Sequence, residues 1–117
     1  MIAVIADDLT GAAELGGIAL KYNLNVEIAV EVNPASEADL LIVSTDARSK
    51  SEEEAVAEMA QATTELIKLN PEIIFKKVDS VLRGHIVPEI KAQLEILKLK
   101  RALLVPANPA LGRTVIN

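Results

Sequence analysis

The segment Lys76-Lys77-Val78-Asp79-Ser80-Val81-Leu82-Arg83-Gly84-His85 gathers three cations, a carboxylate, a hydroxyl and the only histidine of the chain into one connection. Cations of this type neutralise a carboxylate or a phosphate, and Asp and Ser exchange hydrogen bonds with hydroxyls. A turn that only bends the chain and caps a helix needs about one or two such residues. The composition therefore suits a small, anionic, hydroxylated ligand; the plain alternative is solvated cations on a turn. His85, a lone imidazole near a helix start, reads as structural or peripheral rather than as a metal ligand.

Three other polar clusters share this character. In Asp7-Asp8-Leu9-Thr10-Gly11 an aspartate could hold a cation, accept a hydroxyl proton as general base, or simply N-cap the helix that follows. In Asp46-Ala47-Arg48-Ser49 the guanidinium could fork onto a carboxylate, or the group could be a cap with a surface ion pair. Asn108, Arg113 and Thr114 repeat the same residue types near the end of the sequence.

These clusters must be positioned by the elements before them. Ile2–Ala6 is a continuous apolar run, expected as a strand buried on both faces. Ala12–Tyr22 has helical composition, and Gly16-Gly17 suits close packing against a sheet. Val26–Val32 alternates and reads as a strand nearer an edge. Leu40–Val43 is a third strand. Ser51-Glu52-Glu53-Glu54 matches a capping box, opening a helix to about Leu69 with Val56, Met59, Thr63 and Leu66 on one stripe. Ile73–Phe75 reads as the end of a buried fourth strand. Pro88 suits a first helical turn, and Ile86, Ile90, Leu94 and Leu97 mark that helix's apolar face. Ala102–Val105 is expected as a fifth strand.

Strands alternating with helices imply an α/β fold, a three-layer Rossmann-like domain with a mainly parallel sheet of about five strands. Ligands in such sheets bind beyond the carboxyl ends of the strands, where the four polar clusters fall. Little chain follows the expected fifth strand, which suggests an incomplete portion of a longer protein.

Composition narrows the class further. The chain has 117 residues, half of them apolar, enough for one packed core. A net charge of −5 with one Tyr and one Phe disfavours nucleic acid. No apolar run approaches the roughly 20 residues of a membrane span, and Asp7-Asp8 follows the N-terminal apolar run too closely for a signal peptide. The absence of cysteine fits a reducing cytoplasm. Gly11, Gly16 and Gly17 lack the Lys-Ser/Thr of a phosphate loop, and no G-x-G-x-x-G occurs.

Taken together, Asp7-Asp8-Leu9-Thr10-Gly11-Ala12, Asp46-Ala47-Arg48-Ser49, Lys76 to His85 and Ala107-Asn108-Pro109-Ala110-Leu111-Gly112-Arg113-Thr114 resemble the four-carbon acid sugar kinases, in order and over the whole chain. Val81 and Ala47 depart from the Thr and Ser common there. The resemblance implies that residues 1–117 are the N-terminal acid-sugar-binding domain of a two-domain kinase. ATP and Mg2+ would be bound mainly by a C-terminal domain that is this domain's partner, with self-association left open. The substrate would be threonate, erythronate or 3-oxo-tetronate, phosphorylated on its terminal hydroxyl. Asp7, Asp8 and Asp79 are the implied catalytic candidates. Asp8, Arg48, Ser49, Lys77, Val78, Asp79, Ser80, Arg83, Asn108 and Arg113 are the implied substrate contacts, and no metal ligand is assigned. The rival reading is a receiver-like phosphoacceptor module, suggested by Asp7-Asp8, Asp46 and Ser80. It is opposed by Val105-Pro106, where such a module carries Lys-Pro.

Overall fold

A run such as Ile2-Ala3-Val4-Ile5-Ala6 cannot leave either face in water, and it occupies the sheet's interior. In the structure, a computed structural model describing residues 1–108, 110, 112 and 114, this run is β1 (Ile2–Ala6), buried on both faces from Ala3 onward. The chain continues through α1 (Leu9–Leu20), β2 (Val26–Ala29), β3 (Leu40–Ser44), a 3₁₀ turn (Ala47–Ser49), α2 (Glu52–Ile67), β4 (Ile73–Lys77) and α3 (Ile86–Leu97). All strand pairs are parallel, in the order β2-β3-β1-β4.

Side chains alternate across the sheet and build a core on each face. Ala3, Ile5, Leu41 and Val43 pack with Met59, Ala62 and Leu66 of α2 and Ala92 of α3. Val4, Ala6, Leu40 and Ile42 pack with Ala12 and Ala19 of α1. The three-layer expectation holds. From β1 the chain crosses past β3 to β2, whereas from β3 it crosses past β1 to β4, and the two crossovers cover opposite faces. The carboxyl edge between β1 and β3 is therefore the sheet's topological switch point, the place where the binding crevice of such folds is expected.

Local chemistry sets the helix ends. Asp8 caps α1 by accepting from the Gly11 N–H, so the helix starts at Leu9 rather than Ala12. Ser51 and Glu54 form the expected reciprocal box at α2. Of the glycine pair in α1, only Gly16 is needed for close approach: a Cβ there would lie 2.8 Å from Ile28 Cδ1, whereas one on Gly17 would meet open space.

Three expectations are corrected. Among the described residues the sheet has four strands, not five, because Ala102–Val105 runs as irregular chain with Leu103 90% exposed. An apolar composition favours strand geometry, but a strand exists only where a ladder partner accepts it. Without that neighbour β4 is an edge strand, and Ile73 and Phe75 are exposed rather than buried. The inward face of α3 is also rotated: Ile86, Glu89, Ala92 and Gln93 are buried, and Ile90, Leu94 and Leu97 are only partly covered. Lesser differences are the end of β2 at Ala29 instead of Val32 and of α2 at Ile67 instead of Leu69.

Candidate functional site

At the crevice the two aspartates that follow β1 take different tasks. Asp8 Oδ1 accepts from the Gly11 N–H at 2.8 Å, and its residue remains 24% exposed at the side chain. Asp7 is 2% exposed and both its oxygens are bound by Arg48, Nε to Oδ2 and a terminal nitrogen to Oδ1, each at 3.2 Å. Arg48 is carried on the 3₁₀ turn after β3, where Asp46 adopts a left-handed φ of 51° and the Arg48 N–H donates to the Asp7 carbonyl at 3.3 Å. The same guanidinium lies 3.0 Å from Asp8 Oδ2 and 3.6 Å from Asp79 Oδ1. One arginine thus gathers three carboxylates from two loops.

The loop of residues 78–85 is folded around Asp79. Asp79 Oδ2 accepts from the backbone N–H groups of Val81 (3.3 Å) and Arg83 (3.1 Å), and the Arg83 fork meets both carboxylate oxygens at 2.9 Å. The charged hydrogen bonds from Arg83, with Arg48 adding its field, hold the Asp79 carboxyl far below the usual carboxylate range. Gly84, at φ 93°, passes so close to Asp7 that a Cβ would sit 3.1 Å from Oδ2. Arg83 itself is 65% exposed at the side chain. Lys77 donates to the Val78 carbonyl at 3.0 Å and approaches Glu14 at 3.6 Å. These two cations form the crevice rim.

The structure therefore brings Asp7, Asp8, Arg48, Asp79 and Arg83 together, with Lys77 and Val78 beside them. Ser80 is half-buried in the same loop. Ser49 is turned away: its hydroxyl donates to the Asp46 carbonyl (3.0 Å) and Asp46 Oδ2 (2.8 Å). Asn108 is half-buried, and Arg113 lies outside the described residues. The Arg48 fork, read either as a ligand-carboxylate fork or as part of a cap with a surface ion pair, is engaged by Asp7. His85 matches its structural reading, its Nε2 lying 2.7 Å from the Lys50 carbonyl.

Sequence reasoning missed a buried charge pair. Lys76 Nζ lies 3.3 Å from Glu89 Oε2, with side chains 6% and 1% exposed. Burial pushes the Glu89 carboxyl up, against the pull of Lys76. A signal existed. Lys76 and Lys77 are adjacent on a strand and must face opposite layers, and Glu89 follows Ile86 by three positions on the inward face of its helix.

Among the described residues, no group of three or more His, Cys, Asp or Glu side chains is arranged to hold a metal, and no helix is long and apolar enough to cross a membrane. Asp7, Asp8 and Asp79 face Arg48, so their charge is met by a guanidinium, and these residues do not fit Mg2+ as their counter-ion.

The fold and the cluster define a parallel α/β domain with charged side chains gathered at its topological switch point. The chain belongs to the family of the sugar-binding N-terminal domain, matched over residues 2–117, and its relatives of about one-third identity are named as kinases of four-carbon acid sugars. It is 31% identical to the D-threonate kinase of Salmonella typhimurium, over 97% of this chain and 27% of that protein. With the D-erythronate kinase of Heliobacterium modesticaldum it shares 32% identity over 98% of this chain and 28% of the other. With the 3-oxo-tetronate kinase of Brucella melitensis it shares 36% over 99% and 28% respectively. The chain thus spans little more than a quarter of the length of these curated relatives. A crystal structure of a domain of unknown function from Bordetella bronchiseptica, a domain-swapped dimer with bound citrate, superposes with a TM-score of 0.74 at 26% identity, over 81% of this chain and 25% of that one. None of these relatives supports the receiver-like alternative. Asp46, which that reading needs as phosphoacceptor, is engaged by Ser49.

Proposed function

We propose that residues 1–117 are the acid-sugar-binding domain of an ATP-dependent kinase that phosphorylates the terminal hydroxyl of a four-carbon acid sugar. The observation that carries this reading is the gathering of Asp7, Asp8 and Asp79 by Arg48 beneath a rim of Lys77 and Arg83. Rim cations suit the substrate carboxylate, and carboxylates below them suit its hydroxyls. ATP and Mg2+ are assigned to a further C-terminal domain, in keeping with the names and lengths of the relatives. When bound, the metal nucleotide supplies the phosphoryl group and neutralises its charge. Everything this domain contributes is binding and orientation, which is most of what phosphoryl transfer asks of a protein.

The geometry ranks the three candidate aspartates. Asp79, held strongly ionised by Arg83, is a poor proton acceptor, and Asp7 is sealed under Arg48. Asp8 alone of the three combines an exposed edge with a place in the cluster, and we assign it the orientation of the reacting hydroxyl. Asp7 and Asp79 hold the arginines. Lys77, Arg83 and Ser80 contact the substrate, with Arg48, Val78, Ser49, Asn108 and Arg113 as further contacts. The Bordetella relative, with its bound hydroxy-carboxylate and exchanged domain, favours an anionic ligand of this kind and self-association here too. A cytoplasmic location fits the small-molecule substrate and the cysteine-free sequence.

Calorimetric titration of D-threonate, D-erythronate and 3-oxo-tetronate into the chain tests the reading. Saturable binding of one or more, lost in Lys77→Ala and Arg48→Ala while both remain folded, is the expected result. Folded wild-type chain that binds none of the three, with or without Mg-ATP and the remainder of the protein, overturns it.

A further inference from the structure

The pair Lys76–Glu89 is not part of the crevice, yet it stands at the base of the loop that shapes it. β4 ends at Lys77 and α3 begins at Ile86, so the segment 78–85 carrying Asp79, Ser80 and Arg83 is strung between them. Lys76 lies just before that segment and Glu89 one turn after it, and their charged ends meet at 3.3 Å across its two ends. The segment contains two residues of positive φ, Leu82 at 61° and Gly84 at 93°. A non-glycine residue in that region persists only where the surroundings over-determine it. The hydrogen bonds to Asp79 order the interior of the loop, but they do not set the separation of its ends.

The pair is also an expensive way to fill a core. Lys76 Nζ, both Glu89 carboxylate oxygens and Gln93 Nε2 are buried and have no hydrogen-bond partner in the protein among the described residues. Replacing such a pair with well-packed apolar side chains is commonly neutral or stabilising, so stability does not explain its presence. A charged contact does supply what apolar packing lacks, one preferred separation between two backbones. Glu89 is also on the first turn of α3, whose N-terminal residue Ile86 directly follows the loop.

We infer that Lys76 and Glu89 are positioning residues: a buried clasp that fixes the ends of the 78–85 loop and so holds Asp79 and Arg83 against Arg48. The clasp deepens the proposed function and rests on that loop being the substrate loop. Its test has one readout that needs no substrate. Lys76→Met/Glu89→Met preserves volume and removes both charges together, and Lys76→Arg keeps the pair. Thermal unfolding, hydrogen exchange at the Val81 and Arg83 amides, and D-threonate affinity are measured in each.

The double-methionine chain is expected to unfold at or above the wild-type temperature, while protection of the two amides falls by about tenfold or more. Affinity falls with it, whereas Lys76→Arg keeps both at the wild-type level. Wild-type protection and affinity in the double variant overturn the clasp, as does a double variant that cannot fold, which makes the pair a structural requirement alone. If the wild-type chain binds no acid sugar, the functional reading fails and amide protection still decides the clasp.

Discussion

Two charged clusters lie a few residues apart, and they treat the same chemical group in opposite ways. In the crevice, Asp79 receives four hydrogen bonds, two of them from a guanidinium, and its carboxyl is held far down. Behind the loop, Glu89 has one cation nearby, no aligned hydrogen bond and almost no exposure, and its carboxyl is pushed up. Asp79 faces two cations, Arg83 at 2.9 Å and Arg48 at 3.6 Å, and Glu89 one, Lys76 at 3.3 Å, but the field of the second arginine is a lesser cause of the Asp79 shift. What separates them is whether hydrogen bonds replace the lost water. The crevice cluster keeps Asp8, Arg48 and Arg83 partly exposed. The dry one can only stay paired, which suits it to holding structure.

The contrast makes the dry cluster the more fragile to single substitutions. Glu89→Gln leaves a buried ammonium without a counter-charge and is expected to cost about 3–5 kcal/mol of stability, read from urea unfolding. Arg48→Ala strips Asp7 of both its side-chain hydrogen bonds, but in a crevice that water can enter. A smaller loss of about 2–3 kcal/mol is expected there, together with loss of acid-sugar binding by calorimetry. Equal costs for the two variants would break the comparison. Gly84→Ala strains a φ of 93° and crowds Asp7 Oδ2, and should cost about 1–3 kcal/mol in the same assay.

Titration sharpens the difference further, because the signs oppose. Asp79 is depressed, so its contribution is complete above its ordinary value of about 3.9 and is lost as pH falls below it. Glu89 is raised, so its folded-state preference for the proton favours the native state below about 4.3 and is lost as pH rises through its elevated value. Unfolding free energies from pH 3 to 7 should therefore show Asp79→Asn closing its deficit toward acid. Over the same range, Lys76→Met/Glu89→Met should gain on the wild type toward neutrality. Parallel curves for both would remove the distinction. The smallest effect is expected from Lys77→Ala, whose exposed-side pairing with Glu14 is worth no more than about 0.5 kcal/mol. Its acid-sugar affinity should nevertheless fall by about tenfold, since a charged hydrogen bond to a carboxylate is lost.

Much of this could be read along the chain. The apolar run of β1, the Ser51–Glu54 box and the polar loops after β1, β3 and β4 depend on neighbours a few residues away, and the four-loop pattern carried the family resemblance. Helix starts slipped only where Asp8 acted as the cap, an alternative already visible in its residue type. The fifth strand failed for a different reason: Ala102–Val105 has the composition of a strand, but a ladder is a property of two segments. The edge status of β4 follows from that one missing partner. Arg48 showed the same limit within the site, since its side chain could be recognised as a fork but not whose carboxylate filled it.

What the sequence by itself determined was therefore the alternation of elements, the edge on which chemistry collects and the kind of ligand those residues suit. Local propensity, side-chain period and residue chemistry act over a few positions and can be read in order. Only the tertiary structure decided that Arg48 binds Asp7 across 41 positions of sequence, and that Lys76 meets Glu89 in the core rather than joining Lys77 at the rim. Charge pairing and burial depend on distance in space and on the water that packing excludes, and neither is set until the layers close.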